Sequence, residues 1–399
     1  MGGYAVILAV AAVSTWLLTF VVRLVAPRIG AISIPGPRSV HDRPTPSLGG
    51  AAMFVGFLVA IAVASQIPQF GEMFDNSSEP LGLILAAGVM FGVGALDDLR
   101  EVSPPAKVAG QVLSGSILSL FGVTMLFFRV PFASTEYVVL SPDLAPLVTV
   151  LTVVVMANAI NLIDGLDGLA AGIVVIGGSA FFLYSDRLFK AGLLEGSNIA
   201  PLIAVIAVGV CLGFLPHNIN PAKIIMGDAG AMFLGLLMAT TTITVGGRTA
   251  DQFSGQTYFF FAPLVIPILI LGVPLLDTAF SFVRRVYRRT SFATADKDHL
   301  HHRLMRLGHG PRRSVVILWL WTALLSGLVL LPTYTSAQWN RLVPVGVAAL
   351  ALLLYVYFHP GVRSARDPEL DAPPAADEPP PEVVHLDEHR QTVERRAQS

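Results

Sequence analysis

The chain has 399 residues, of which 54% are hydrophobic and only 13% charged, with a formal net charge of −1. A mean hydropathy of +0.68 excludes a soluble globular domain, which needs more polar surface to stay dispersed. The near-neutral balance gives no sign of a nucleic-acid partner, and the single cysteine, Cys211 in an apolar run, excludes a disulfide within one chain.

A bilayer span takes about 20 apolar residues. Such runs fall near 4–25, 48–66, 81–96, 107–128, 146–163, 168–184, 199–216, 230–246, 258–283, 315–331 and 342–358. They do not alternate with the period of a barrel strand. The predicted fold is therefore an all-α polytopic membrane protein with about eleven transmembrane helices. The first run has no basic segment before it and reads as a span, not a cleaved leader. The 258–283 run carries Pro263, Pro267 and Pro274 and reads as kinked. The odd-numbered loops hold fifteen Lys and Arg, nine of them between 284 and 313, against five in the even-numbered loops. The positive-inside rule then predicts an N-terminus outside and a C-terminus in the cytoplasm, in a plasma (inner) membrane. Residues 1–358 are read as the integral-membrane domain. Residues 359–399, rich in Pro, Asp and Glu with almost no aromatics, are read as a disordered cytoplasmic tail.

Nearly every unusual polar residue falls in the loops assigned to the cytoplasmic side. His41, Asp42 and Arg43 sit among Pro35, Pro37, Pro44 and Pro46, a stiff loop that suits a placed ligand contact or a plain connector. Asp97 and Asp98 end a run. Adjacent carboxylates at the negative end of a helix dipole call for a cation, a proton or a basic partner, and Lys107 follows ten residues after Asp97. Asn158, Asn161, Asp164 and Asp167 recur every three residues, with Gly165 and Gly168 among them. This pattern predicts a helix that stops near Ile163, a tight polar turn, and a second helix starting near Asp167. Such a turn would bring amides, carboxylates and free backbone N–H groups to the membrane edge. Hard oxygens of this kind suit Mg²⁺ and a phosphorylated ligand.

Gly227-Asp228 opens the eighth span, where a carboxylate is either a favourable helix start or a ligand contact. Asp277 lies on the helical face of Arg284 and pairs with it or takes a catalytic role. His299, His301, His302 and Arg303 form an anion-binding cluster, a zinc site or a solvated basic loop. A carboxylate at mid-bilayer costs roughly 2.5–3.5 kcal/mol, so Asp97, Asp98, Asp164, Asp167 and Asp228 are expected to converge on a polar cavity at one membrane face.

At these residues the chain resembles the polyprenyl-phosphate N-acetylhexosamine-1-phosphate transferases, over about residues 1–358. Four ordered motifs carry the resemblance: Asp97-Asp98; Asn158-x-x-Asn161-x-x-Asp164-Gly-x-Asp167-Gly; Pro221-Ala-Lys-x-x-Met-Gly-Asp228; and His299-Leu-His-His-Arg303. The His-Leu-His-His pattern and the Val40-His-Asp-Arg-Pro-x-Pro run are similar to the GlcNAc-1-phosphate branch. The muramoyl-pentapeptide branch, which shows three consecutive histidines, is the alternative. An ion-coupled transporter is the more distant one, because carriers hold polar groups near the midplane and not at one face.

The resemblance implies transfer of GlcNAc-1-phosphate from UDP-GlcNAc to undecaprenyl or decaprenyl phosphate, with release of UMP, as the first step of a cell-envelope polysaccharide. It implies Mg²⁺, with Mn²⁺ as substitute, on Asp228 and Asn161. It implies catalytic roles for Asp97, Asp98, His299, His301 and His302, and substrate contacts from Lys107, Asp164, Asp167, Arg303, His41, Arg43 and Asn218. It also implies an active site on the cytoplasmic face, and relatives suggest a homodimer.

Overall fold

A computed structural model of the protein describes residues 2–33, 43–128, 138–194, 197–246 and 311–334, with isolated residues of 343–351. His41, Asp277, His299, His301, His302 and Arg303 lie outside the described residues, as do the predicted 258–283 span, most of the 342–358 span and the predicted tail.

Ten helices are described: α1 Gly2–Val25, α2 Gly49–Ala64, α3 Gly71–Asp75, α4 Glu79–Leu99, α5 Pro104–Leu120, α6 Leu144–Ile163, α7 Leu169–Lys190, α8 Ala200–Asn218, α9 Gly227–Gly246 and α10 Pro311–Tyr334. Two short antiparallel hairpins join them. Strand β1, Ile32–Ser33, pairs with β2, Thr45–Pro46; β3, Phe127–Phe128, pairs with β4, Val138–Val139. Six helices, α1, α4, α6, α7, α8 and α9, are long and apolar enough to cross a membrane. A seventh span arises if α2 and the segment Pro68–Asp75, bent by 93°, count as one. The chain is a multi-pass helical membrane protein.

One predicted run needs correction. The apolar stretch 107–128 is helical only to Leu120. Gly122 turns the chain at φ 97°, and the remaining apolar residues enter β3. The resulting α5 has 17 residues, about 25 Å, at the short end of what spans a bilayer.

The helices differ in what surrounds them. The apolar window of α9 is 94% buried inside the protein, while that of α1 is 22% buried. Helix α1 leaves Val13, Leu17 and Leu24 exposed along one side; α9 is the axis of the bundle, packed against α2, α4, α6 and α8. A helix buried all round needs no amphipathic stripe. Its polar hydroxyls must be satisfied locally, and Thr240, Thr241, Thr242 and Thr244 each donate to the carbonyl four residues back. Cys211, on α8, is a buried free thiol in this core.

The approach of α4 to α9 is backbone to backbone: a Cβ placed on Gly94 would lie 2.5 Å from the Ala229 Cα. Small residues permit such contact, which is how helices gain packing in a lipid solvent. The short connections after α4, α6 and α8 then bring three helix C-termini and the N-termini of α5, α7 and α9 to one end of the bundle.

Candidate active site

Helix α4 runs through Asp97 and Asp98 to Leu99. Both carboxylates sit at the unfavourable end of their own helix dipole, and each is answered from outside it. Asp98 crosses to α9: Oδ1 accepts the Asp228 N–H at 2.8 Å and Oδ2 accepts the Ala229 N–H at 3.2 Å. These are two of the orphan donors that every helix N-terminus presents. The carboxylate thus caps α9 in trans and meets its positive dipole end. Gly227, at φ 74°, makes the turn into α9, and a Cβ there would lie 2.6 Å from Asp98 Oδ1. Removing such a cap costs about 0.5–2 kcal/mol. Asp98→Ala is expected to lower the melting temperature accordingly and to reduce activity through displacement of Asp228; an unchanged melting curve would remove the cap from the account.

Asp97 has the expected basic partner. Lys107 Nζ lies 2.6 Å from Asp97 Oδ2 and 2.6 Å from Asp228 Oδ2. The other Asp97 oxygen accepts the Val102 N–H at 2.8 Å, which folds the α4–α5 link back on itself. Asn161, near the end of α6, donates through Nδ2 to the same Asp228 oxygen at 3.4 Å. Four elements, the ends of α4, α5, α6 and α9, therefore meet around one carboxylate.

The polar turn after α6 is where the sequence placed it: α6 ends at Ile163 and α7 starts at Leu169. Three of the backbone N–H groups at this turn are used within the fold. Asp164 N–H donates to Ile160 O, Leu169 N–H to Leu166 O, and Gly168 N–H to Asn218 Oδ1 at 2.9 Å. Gly168 is buried, so its donor needs a partner, and Asn218, the last residue of α8, supplies the acceptor. Asn218 also donates from Nδ2 to Ile224 O at 3.0 Å. Asp167 Oδ2 accepts Asn220 Nδ2 and the Ala222 N–H, both at 2.9 Å. Asn218 and Asp167 brace the loop that delivers Asp228, and Arg312, at the start of α10, adds its Nε to Asn220 O at 3.1 Å.

Asp164 stands apart. Among the described residues its carboxylate makes no hydrogen bond or ion pair. Burial, and then the negative Asp228, Asp98 and Asp167, hold this carboxyl well above the usual carboxylate range. A carboxyl with a raised folded pKa weakens folding as pH climbs from the ordinary carboxylate range through the raised value. Asp164→Asn is therefore expected to stabilise the metal-free protein at neutral pH, with the two proteins converging in acid. Thermal denaturation in detergent at several pH values checks this; equal melting temperatures throughout would contradict it.

These groups border a cavity of about 300 Å³ lined by Ser33, Ser47, Asp98, Asn161, Asp164 and Asp228, with Ile225 and Gly227. The β1–β2 hairpin forms its wall: Ile225 N–H donates to Pro46 O at 2.8 Å and Ser47 N–H to Ala31 O at 2.9 Å. Arg43 is exposed at the foot of this hairpin, where its carbonyl accepts Thr45 Oγ1 at 3.0 Å. Ser33 carries no signal in the sequence, being a lone serine in a short apolar connector.

Among the described residues no preformed group of three His, Cys, Asp or Glu side chains is poised for a metal. The donor set nonetheless fits Mg²⁺. The carboxylates of Asp228 and Asp164 and the amide oxygen of Asn161 are hard ligands on one cavity, and among the described residues the Lys107 ammonium is paired with Asp97 and Asp228. Mg²⁺ commonly takes one or two protein carboxylates and completes its shell with water and phosphate oxygens.

Residues 80–246, which span α4 to α9, match the model of glycosyl transferase family 4. The decaprenyl-phosphate N-acetylglucosaminephosphotransferase of Mycobacterium tuberculosis (strain ATCC 25618 / H37Rv) is 36% identical over 356 residues, covering 86% of this chain and 87% of that protein. The protein of the same description from Mycolicibacterium smegmatis (strain ATCC 700084 / mc(2)155) is 35% identical over 322 residues, 79% of each chain. The undecaprenyl-phosphate alpha-N-acetylglucosaminyl 1-phosphate transferase of Escherichia coli (strain K12) is 27% identical over 349 residues, with 86% of this chain and 87% of that protein covered. With its carboxylate cluster inside the matched segment and relatives aligned along most of its length, the chain belongs to glycosyl transferase family 4.

Proposed function

We propose that the chain transfers GlcNAc-1-phosphate from UDP-GlcNAc to a polyprenyl phosphate, releasing UMP, at the cytoplasmic face of the plasma membrane. The observation that carries this is the convergence of Asp97, Asp98, Lys107, Asn161 and Asp228 on one polar cavity at the ends of membrane helices. A polyprenyl acceptor keeps its chain in the bilayer, so its phosphate must be met at a helix end. The GlcNAc named in the relatives' descriptions supports this sugar over a muramoyl-pentapeptide. The charge bias of the loops supports the cytoplasmic face.

Phosphoryl transfer asks for in-line positioning and neutralised charge more than for covalent help. Asp228 and Asn161 would hold Mg²⁺, or Mn²⁺ in its place, with Asp164 beside them. The ion, when bound, neutralises pyrophosphate oxygens. Lys107 presents an ammonium, already fixed between two carboxylates, to the phosphoryl oxygens. Asp97 orients that ammonium. Its use as a base is a lesser demand, since a phosphate monoester is largely ionised at neutral pH. Asp98 holds Asp228 in place through the backbone of α9. His299, His301, His302 and Arg303, with His41 and Arg43, are proposed for the diphosphate, and Asp164, Asp167 and Asn218 for the donor's side of the cavity.

Purified full-length protein with polyprenyl phosphate and a panel of UDP-sugars tests the reading. The expected product is polyprenyl-diphospho-GlcNAc, identified by mass, in equal amount to UMP. Product only from UDP-MurNAc-pentapeptide would favour the other branch. Flux across liposomes without UMP would favour a carrier.

A further inference from the structure

The catalytic layer has a second layer beneath it, built from the same three helices. At the cavity, Lys107 of α5, Asn161 of α6 and Asp228 of α9 meet at one oxygen, Asp228 Oδ2, at 2.6 Å for Lys107 and 3.4 Å for Asn161. One helical turn deeper, Gln111 of α5, Asn158 of α6 and Met232 of α9 meet in turn. Gln111 Oε1 accepts Asn158 Nδ2 at 2.7 Å. Gln111 Nε2 lies 3.4 Å from Asn158 Oδ1 and 3.3 Å from Met232 Sδ. Asn158 Nδ2 also donates to Val154 O at 2.7 Å. The steps from layer to layer are four residues on α5 and α9 and three, in the reverse direction, on α6. They are the i,i+3 and i,i+4 spacings that keep side chains on one helix face, about 4.5–6 Å apart along the axis.

Gln111 is 1% exposed, so the amide pair is an internal contact of the bundle. Hydrogen bonds between membrane helices add little stability, and an apolar pair of equal volume would pack as well. A reciprocal amide pair adds direction: it is satisfied at one rotation of α5 against α6, as a buried polar residue fixes register in a coiled coil. We propose that Gln111 and Asn158 are positioning residues of the transferase site. Their amide pair fixes the rotation of α5 against α6 and hence the placement of the Lys107 ammonium relative to Asn161 and Asp228. This rests on the transferase reading above.

The test uses full-length protein carrying Gln111→Met, Asn158→Leu, or both, with melting temperature, kcat and the Mg²⁺ concentration for half-maximal rate measured on each. Asn158→Leu strands the buried Gln111 amide and should lower the melting temperature; Gln111→Met leaves the half-buried Asn158 with its bond to Val154 O and should lower it less. The double substitution removes both amides and should restore it. The positioning role predicts that kcat of the double variant stays down, on the order of 10- to 100-fold as misplacement of a catalytic group implies, and that its Mg²⁺ requirement rises. Recovery of kcat together with stability would overturn the proposal and leave the pair a packing feature. If the double variant is not recovered from membranes, Gln111→Met alone decides, since it keeps the side-chain volume; wild-type kcat in it would equally overturn the proposal. A wild-type protein that forms no UMP from UDP-GlcNAc and polyprenyl phosphate sinks the transferase reading instead.

Discussion

Replacing Asp228 by asparagine is expected to reduce Mg²⁺-dependent UMP release by roughly a thousandfold, the scale of losing one charge-stabilising group at a reacting centre. The substitution keeps the shape of the side chain. The α9 cap survives, because Asp98 accepts from the backbone N–H groups of Asp228 and Ala229. Lys107 also retains Asp97 at 2.6 Å. Folding should therefore be little affected, and removing one of four neighbouring carboxylates should if anything favour the metal-free protein. Melting temperature and UMP release, measured on the same preparation, check the pair of expectations. Near-normal turnover in Asp228→Asn would take Asp228 out of the metal site.

Gly94→Val is expected to damage both stability and turnover. A Cβ at Gly94 has nowhere to go, since the Ala229 Cα and N would lie 2.5 Å and 2.6 Å away. Those atoms are backbone and cannot rotate aside. Overpacking of this kind typically costs 1–3 kcal/mol, about a tenth or more of a domain's stability. The displacement also falls one helical turn from Asp98, whose bonds to Asp228 and Ala229 span this contact. A shift of about 1 Å there is enough to cost roughly a hundredfold in rate. Turnover at the wild-type level in Gly94→Val would mean that the α4–α9 contact does not set the site.

The pattern of residues carried much of this fold because lipid leaves few alternatives. A helix that ends near Ile163 and another that begins just past Asp167 were legible from amides and glycines inside an apolar run, and α6 and α7 have those boundaries. Asp228 at the start of α9 was legible for the same reason. What is reached across the chain was not. The cap of α9 comes from Asp98, 130 residues away, and nothing local to either residue announces it. The use of the Gly168 N–H by Asn218 depends on how the end of α8 packs against the turn, so that this donor is taken is not legible locally. The end of α5 is not legible in hydropathy, because the residues beyond Leu120 are apolar and the positive φ of Gly122 leaves no trace in it. Gln111 sits one turn past Lys107 as a lone amide on its helix, a polar signal legible in the sequence.

The account stands on separate helix ends jointly gripping one divalent ion and a pyrophosphate. The most direct measurement is a Mn²⁺ titration of the purified full-length chain in the presence of UDP-GlcNAc, followed by electron paramagnetic resonance. The account predicts a single bound ion per chain in the wild type, with affinity sharply reduced in Asp228→Asn and in Asn161→Ala, on α9 and α6 respectively. Undiminished Mn²⁺ binding in the protein carrying both substitutions would contradict it.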